Sequence, residues 1–310
     1  MNEWELIRRI SGELPPQGGD VVKGIGDDCA VVRWGEEYLF LTKDLMTEGS
    51  HFLRPGYPAE SLGRKLVNAN VSDIVAMGGR PLWALLGLSL PVMEGGETEA
   101  LIRGITGELR RFGVYLLGGD TVRGEELTLS LTLLGHGGRP LYRSGARPGD
   151  QIWVSAPLGY ARAGLNLFLK EGRVDHPKAG EKYFQPSCRA DLIPFLEENE
   201  IHGLIDISDG FVQDLGHILE ESGVGASLDL SCWPKDPWIE TQAQAEGIPW
   251  ESFCLNSGEE FELIATAPVV SRKALLEASW IPVGTIEPGR GMTWKGESSG
   301  PVNLSWTHGF

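Results

Sequence analysis

Basic residues are scarce in this sequence, and long apolar runs are missing. Only 27 of its 310 residues are lysine or arginine, against 43 aspartates and glutamates, so the formal net charge is −16 at pH 7. Such a surplus of negative charge argues against a nucleic acid or an anionic membrane surface as the main partner. No apolar run approaches the roughly 20 residues of a membrane-spanning helix. We therefore expect no nucleic acid partner and no membrane, and an anionic substrate would need metal ions on so acidic a chain.

Cysteine is also sparse, and its spacing is irregular. The four cysteines, Cys29, Cys188, Cys232 and Cys254, form no CxxC pair and no histidine-linked pattern, which argues against a disulfide framework or a zinc site. The first residues carry acid where a secretory signal would carry base, and no apolar stretch follows them. We therefore expect free thiols and a cytoplasmic location.

The common nucleotide-binding motifs are missing as well. The sequence contains no GxxxxGK[ST] loop, and no kinase glycine-rich loop followed by HRD and DFG segments. These motifs hold nucleotide phosphates in the two most widespread ATP-binding designs. A nucleotide-binding function in this chain would therefore need a different fold.

Glycine, with 42 residues, and proline, with 19, are abundant. They separate short apolar runs from helical stretches, an alternation typical of α/β proteins. Residues 38–42 predict a strand, and residues 59–77 predict a helix that two glycines end. The turn-rich segment 143–150 predicts a hinge. We therefore predict an α/β (α+β) fold of two domains, an N-terminal domain of residues 1–146 and a C-terminal α/β domain of residues 147–310.

Acidic residues recur beside glycines or small polar residues in five short segments. These are residues 24–28 (GIGDD), 42–44 (TKD), 70–73 (NVSD), 118–121 (GGDT) and 206–210 (DISDG). Any one of them alone is more often a turn or a helix cap than a set of ligands. Their recurrence where predicted strands end favours an oxygen-rich magnesium site. Within the predicted helix, Asn70 and Asp73 share one face, where they either satisfy each other and nearby backbone or join this site.

Taken in order, the motifs resemble those of the thiamine-monophosphate kinase family. The matching segments are GIGDDCAVV (24–32), D-x-x-x-EG-x-HF (44–52), N-x-SD-x-x-AMG (70–78), P-x-W (81–83), GGDT (118–121), RSGA-x-PGD (143–150), ISDG-x-x-x-DLGH (207–217) and SGEEFEL (257–263). The resemblance covers nearly the whole chain. It implies a two-domain fold like that of aminoimidazole ribonucleotide synthetase, whose N-terminal domains pair across a homodimer. It also implies ATP and several magnesium ions as cofactors, in a cleft beside that interface.

The implied reaction is ATP-dependent phosphorylation of thiamine monophosphate to thiamine diphosphate by direct in-line phosphoryl transfer. Such a transfer needs positioning and charge neutralisation more than a nucleophilic side chain. The attacking phosphate oxygen is already ionised near neutral pH, so we assign no general base.

The resemblance also implies roles for individual residues. Metal positions are Asp28, Thr42, Lys43, Asp44, Asp73, Asp120, Asp206 and Asp209; ATP contacts are Gly119, Asp120, Arg143 and Ser208; substrate contacts are His51, Glu259 and Phe310. We expect Asp44, Asp120 and Arg143 to carry the catalytic effect. Trp306 and His308 are alternatives for the place of Phe310.

Two positions depart from the family pattern. Lys43 stands where the family usually has a small hydroxyl residue, so a metal contact is replaced there by a fixed positive charge or by a backbone oxygen. Glu260 stands where an aspartate is usual, and we expect this longer acid to shift the substrate side of the pocket.

Two other functions stay open at this stage. One is a sister enzyme of the same superfamily with another phosphate acceptor, for which Cys29 is the candidate reactive thiol near the glycine loop. The other is a catalytically silent nucleotide-binding protein, for which Lys43 is the main argument.

Overall fold

The computed structural model describes residues 3–14 and 18–295, and its strands form two six-stranded sheets. In the N-terminal sheet the strands are β1 (Val21–Lys23), β2 (Ala30–Trp34), β3 (Glu37–Thr47), β4 (Arg80–Leu90), β5 (Tyr115–Arg123) and β6 (Thr128–Gly137). Their order is β1-β2-β3-β6-β4-β5, and only the β4–β5 pair among them is parallel. Strand β5 therefore lies at one edge of this sheet.

Helices cover one face of the N-terminal sheet. Helix α1 (Glu3–Glu13) precedes it, and α2 (Ala59–Ala76) and α3 (Glu97–Arg111) pack together beside it. The alternation of β6 places Leu129, Leu131 and Leu133, all fully buried, under these helices. The two helices touch at Gly104, where a Cβ atom would lie 2.0 Å from the carbonyl oxygen of Glu60. Glycine is therefore what allows α2 and α3 to approach so closely.

The C-terminal sheet has the order β12-β9-β11-β7-β10-β8. Its strands are β7 (Gln151–Val154), β8 (Gly203–Asp206), β9 (Gly225–Leu228), β10 (Leu263–Ala267), β11 (Ile281–Glu287) and β12 (Gly291–Trp294). Its helices are α4 (Tyr160–Glu171), α5 (Pro177–Phe184), α6 (Ile193–Glu198), α7 (Phe211–Ser222), α8 (Pro237–Glu246), α9 (Trp250–Leu255) and α10 (Arg272–Glu277). Within the described residues, no helix combines the length and the apolar character that crossing a membrane requires.

The connection between the sheets contains a short 3-10 turn, Arg143–Gly145. Just before it, Tyr142 forms an isolated bridge with Gly203, the first residue of β8. This linker therefore packs against the C-terminal sheet and places Arg143 where the two domains meet.

Two strands run further than the sequence predicts. Strand β3 extends to Thr47 and contains Asp44, and β5 continues through Gly118 and Gly119 to Arg123. The expectation that Asp44 and Asp120 follow the ends of their strands was wrong, because both lie within them. The paired glycines mark a close approach between strands, because a Cβ atom on Gly119 would lie 1.8 Å from the carbonyl oxygen of Leu86 in the neighbouring strand.

Candidate functional site

Three aspartates from distant parts of the chain meet between the domains. Asp28 lies in the loop before β2, Asp73 on α2, and Asp206 at the end of β8. Each contributes a carboxylate oxygen, and these oxygens all lie within 4.8 Å of one another. We call this group the acid cluster. Its members come from both domains, so the cluster exists only when the domains are packed together.

Short hydrogen bonds orient the acid cluster. The Thr42 hydroxyl donates to Asp73 Oδ2 at 2.5 Å, and the Ser72 hydroxyl donates to Asp206 Oδ2 at 2.6 Å. Because Thr42 lies on β3 and Ser72 on α2, both bonds cross between separate elements. The two bonds therefore connect three elements, β3, α2 and β8.

Asn70 positions the neighbouring acid, Asp44. Its side-chain amide donates to the carbonyl of Leu66 at 2.9 Å, and its Oδ1 accepts from the backbone N–H of Asp44 at 3.3 Å. Asn70 therefore links α2 to the Asp44 backbone of β3. It supports the site in this way and does not simply pair with Asp73.

Burial makes these carboxyl groups hold protons more tightly. Burial raises the pKa of Asp44 to about 6. Burial, together with the charge of Asp28, raises the pKa of Asp206 to about 8. Burial and the charge of Asp44 raise the pKa of Asp73 well above its ordinary value. A cation among these groups would remove the repulsion between them and favour their ionised forms.

The acid cluster fits a hard divalent cation. Three carboxylates supply the oxygen ligands that magnesium prefers. Asp28 Oδ2 is buried and makes no hydrogen bond with the described part of the chain. A buried carboxylate oxygen without a partner is costly, and a metal ion would satisfy it.

Arg143 supplies the positive charge nearest to the acid cluster. Its Nη2 donates to Asp28 Oδ1, and its Nε lies 3.7 Å from Asp27 Oδ1. The 3-10 turn that carries Arg143 is held by the Ser222 hydroxyl, which donates to the Arg143 carbonyl at 2.9 Å. The arginine predicted to contact ATP therefore lies beside the predicted metal ligands.

A cavity of about 660 Å³ opens beside Asp44, between the two domains. It brings together five residues predicted for the site: Asp44, His51, Ser208, Asp209 and Glu259. Much of the remaining wall is apolar and includes Leu45, Met46, Phe52, Leu53, Leu165, Leu169 and Phe261. The cavity therefore combines acidic side chains with a largely apolar wall, to which Arg162, Asn166 and Asn256 add polar groups.

Two of the three predicted substrate contacts line the cavity, one from each domain. His51 lies after β3, and its Nδ1 accepts from the backbone N–H of Thr47 at 3.1 Å. Glu259 lies before β10 in a left-handed backbone conformation with φ of 55°. The backbone N–H of Glu259 donates to the Ser208 carbonyl at 2.7 Å, which ties Glu259 to the segment that follows Asp206.

Gly119 and Asp120 lie away from the acid cluster. Their strand, β5, is separated by β6 and β4 from β3, which carries Thr42 and Asp44, so it lies about 14 Å from β3 across the sheet at the usual strand spacing. Asp120 is exposed, and its Oδ1 accepts from the backbone N–H of Thr121 at 2.8 Å. A single copy of the chain does not bring Asp120 to the other predicted ligands.

The Lys43 ammonium lies on the opposite face of β3 from Thr42. It donates to the Ser130 hydroxyl at 2.5 Å on the sheet face that α2 and α3 leave uncovered. The side chain therefore places no fixed positive charge in the acid cluster, and the backbone carbonyl is its remaining candidate contribution. Phe310, Trp306 and His308 lie outside the described residues.

Glu260 supports the cavity wall from behind. It is fully buried, and its Oε1 accepts from the backbone N–H of Gly159 at 2.7 Å and of Ala161 at 3.2 Å. These amides lie at the start of α4, where an acidic side chain satisfies otherwise unpaired donors. Glu260 therefore bears on the cavity through α4, which contributes Leu165 and Leu169 to its wall. The expectation that this longer acid shifts the substrate side of the pocket stays a prediction.

Two polar residues near the site were missed from the sequence. Asp214 is buried, and its Oδ2 accepts from the backbone N–H groups of Asp209 and Gly210 at 3.2 and 3.0 Å. Its place in the first turn of α7 is the signal that could have revealed it. Lys65 is fully buried within α2, where a lysine among apolar residues was the available signal.

Comparisons with known proteins agree with this architecture. The family model of the AIR synthase related protein, N-terminal domain, matches residues 26–136, and that of the C-terminal domain matches residues 147–295. A thiamine-monophosphate kinase of Aquifex aeolicus is 32% identical over 99% of this chain and 98% of its own length. One of Salmonella typhimurium is 36% identical over 88% of this chain and 85% of its own length.

A solved structure agrees as well. AaThiL complexed with AMPPCP and TMP superimposes with a TM-score of 0.88 at 32% identity, covering 99% of this chain and 97% of the other. The family models and the similarity over nearly the whole chain lead to one conclusion. The chain belongs to the thiamine-monophosphate kinase family, within the AIR synthase related proteins.

Proposed function

We propose that this protein transfers the terminal phosphate of ATP to thiamine monophosphate and releases thiamine diphosphate and ADP. The observation that carries the proposal is the meeting of the acid cluster and the apolar-walled cavity at Asp44. Relatives that cover most of this chain are named thiamine-monophosphate kinases, and one similar structure holds AMPPCP and TMP together.

The cavity suits an acceptor that has flat rings at one end and a phosphate at the other. Its volume of about 660 Å³ is typical of a small-molecule site. The apolar side chains of Phe52, Leu165 and Leu169 would pack against the rings, and Asp44 marks the end where the phosphates would meet. His51 from the N-terminal domain and Glu259 from the C-terminal domain would contact the acceptor.

Asp28, Asp73 and Asp206 would hold magnesium, with Asp44, Thr42 and Asp209 beside them. Bound magnesium neutralises phosphate charge and aligns the transferring group. Arg143 adds a fixed positive charge beside Asp28, and Ser208 lines the cavity near the same end. The ionised phosphate of thiamine monophosphate would itself be the nucleophile. In direct in-line transfer these residues would therefore orient both substrates and exclude water.

A homodimer is part of the proposal. Every residue of the edge strand β5 is exposed, including Tyr115 (68%), Leu117 (62%) and Val122 (53%). An edge strand that exposes apolar side chains and unpaired backbone groups is a template for pairing with another chain. Pairing along β5 would bring Gly119 and Asp120 of one copy towards the acid cluster of the other.

The domain boundary near residue 146 is also part of the proposal. The 3-10 turn that carries Arg143 ends at Gly145, and β7, the first strand of the C-terminal sheet, begins at Gln151. A boundary near residue 146 therefore falls in the short connection between them. The cytoplasmic location that the N-terminal composition predicts stays a prediction.

Two observations weigh against the alternative functions. Burial raises the pKa of the Cys29 thiol well above its ordinary value, which disfavours the thiolate that a reactive cysteine needs. The ammonium of Lys43, the main argument for a silent protein, points away from the acid cluster.

Quantifying both products tests the proposal. The purified protein is incubated with ATP and thiamine monophosphate, with and without magnesium, and thiamine diphosphate and ADP are measured by chromatography. Magnesium-dependent formation of both in equal amounts is expected. ADP formation with thiamine monophosphate unchanged would assign the chain to a sister enzyme, and no ADP at all would assign it to a silent binding protein.

A further inference from the structure

Lys65 is a charged residue buried behind the lining of the candidate site, in contact with two of the lining residues. It lies in the middle of α2, and its side chain is 0% exposed. An ammonium group removed from water costs free energy unless charged and polar groups surround it. The groups that contact the Lys65 ammonium therefore identify the part of the structure that this residue holds in place.

Those contacts join the two walls that carry the predicted substrate residues. Lys65 Nζ lies 2.5 Å from Glu259 Oε1 and donates to the His51 carbonyl oxygen at 3.2 Å. It also lies 5.7 Å from the centre of the Tyr57 ring, within the range of a cation–π contact. One ammonium group thus holds a segment of the N-terminal domain and a segment of the C-terminal domain at once.

Glu259 in particular needs such support. Its φ of 55° lies in the left-handed region, which residues other than glycine rarely adopt and which surrounding contacts must stabilise. The backbone is held by the Ser208 carbonyl, and the carboxylate is held by Lys65. The Glu259 side chain is still 40% exposed and lines the cavity, so it can contact a ligand while paired.

The pair also affects the charge of the cavity. An unpaired Glu259 carboxylate would repel the phosphate of an acceptor that enters the cavity. Pairing with the Lys65 ammonium offsets that charge without exposing a lysine to the ligand.

We infer that Lys65 is a positioning residue for the acceptor: it fixes Glu259 and the His51 segment against the cavity and offsets the negative charge of Glu259. This inference rests on the proposed function, under which Glu259 and His51 contact thiamine monophosphate. Because Lys65 is fully buried, it acts through these two residues and does not touch the substrate.

A double-mutant cycle tests the inference in the full-length enzyme. Lys65→Met removes the charge at similar length, and Glu259→Gln removes the partner charge at equal size. We expect Lys65→Met to raise KM for thiamine monophosphate about tenfold, as for loss of a charged hydrogen bond, with KM for ATP nearly unchanged. In the Glu259→Gln background the same substitution should raise KM for thiamine monophosphate less than about threefold. Equal effects in both backgrounds, or a rise in KM for ATP alone, would overturn the inference.

Two further variants separate positioning from general loss of stability. Val283→Ala truncates a fully buried residue of β11 in the C-terminal core and should lower Tm while leaving both KM values unchanged. If Lys65→Met does not fold, Lys65→Arg keeps the buried charge but changes the donor geometry. Lys65→Arg should then raise KM for thiamine monophosphate more in the wild-type background than in the Glu259→Gln background.

Hydrogen exchange of the ligand-free protein tests Lys65 independently of any activity. Lys65→Met should speed amide exchange in residues 47–53 and 257–261 but not in β11, because local opening follows loss of local contacts. Unchanged exchange in both segments would overturn the inference even in an active kinase. Faster exchange in a protein whose wild type leaves thiamine monophosphate unchanged would support the positioning contact and reject the proposed function.

Discussion

The hydroxyl of Ser72, on a helix of the N-terminal domain, donates a 2.6 Å hydrogen bond to the carboxylate of Asp206, at the end of a strand in the C-terminal domain. Through this bond the third member of the acid cluster is positioned by the other domain. Metal binding at the acid cluster should therefore couple the two domains to each other.

The first prediction is that magnesium stabilises the folded protein. A ligand that binds only the folded state at 100 times its Kd adds about 2.7 kcal/mol to the free energy of unfolding. We expect magnesium to raise Tm in thermal unfolding monitored by circular dichroism. The Asp206→Asn variant should show a smaller rise, since it removes one ligand. An equal rise in both proteins would place the magnesium elsewhere.

The second prediction concerns the acids as a group. We expect Asp44→Asn or Asp120→Asn to lower kcat/KM roughly 100-fold, as for loss of a transition-state electrostatic contact. The fold should stay intact, because relief of repulsion between carboxylates offsets the lost contacts of Asp44 in the metal-free state, and because Asp120 is exposed. Asp175→Asn, an exposed residue paired with Arg173, is the matched control and should keep full activity. Unchanged turnover in the Asp44 variant would contradict the metal assignment.

The third prediction is a pH dependence of stability in the metal-free protein. Burial raises the pKa of Asp44 to about 6 and of Asp206 to about 8, against an ordinary value of 3.8. The folded state therefore holds more protons than the unfolded state between about pH 4 and pH 8. Its stability should fall as pH rises through that window.

Urea unfolding at pH 5 and pH 8, in the presence of a chelator, measures this effect. The midpoint should be lower at pH 8, and the difference should shrink in Asp206→Asn, which no longer ionises. Added magnesium should also reduce it, because the cation favours the ionised carboxylates. A midpoint that rises from pH 5 to pH 8 in the wild type would show that these acids are not destabilised by burial.

The fourth prediction concerns the exposed edge strand. The wild type should sediment with the mass of two chains, and Leu117→Glu, which puts a charge on β5, should sediment as one chain. Its activity should fall at the same time, because Asp120 of one copy would no longer reach the acid cluster of the other. Val270→Glu changes a residue of the C-terminal domain that is 79% exposed, and it serves as the control. A fully active Leu117→Glu monomer would contradict the dimeric site.

Much of the fold could be predicted from the sequence because local signals agree with the final structure. The helix predicted at residues 59–77 is α2, Ala59–Ala76, since its apolar periodicity and the glycines after it act locally. Strand lengths were harder to predict. Whether Gly118 and Gly119 form a loop or an edge strand depends on a neighbouring strand more than thirty residues earlier in the chain.

In the candidate site, too, features set by local sequence could be predicted and features set by long-range contacts could not. The aspartates of the acid cluster could be singled out because their motifs resemble a known family. Side-chain direction could not be inferred, so Lys43 was expected beside the metal although alternation along β3 turns its ammonium to the other face. Glu260 caps α4 and Lys65 pairs with Glu259 across the domain boundary, and such long-range partners leave no local pattern in the sequence.

The most direct test of the central claim follows the phosphate itself. The protein is incubated with magnesium, thiamine monophosphate and ATP labelled with ³²P at the γ position, and the products are separated. Direct transfer between the acid cluster and the adjoining cavity predicts that the label appears in thiamine diphosphate, with none on the protein and little as free phosphate. Label released as inorganic phosphate, with thiamine monophosphate unchanged, would contradict it.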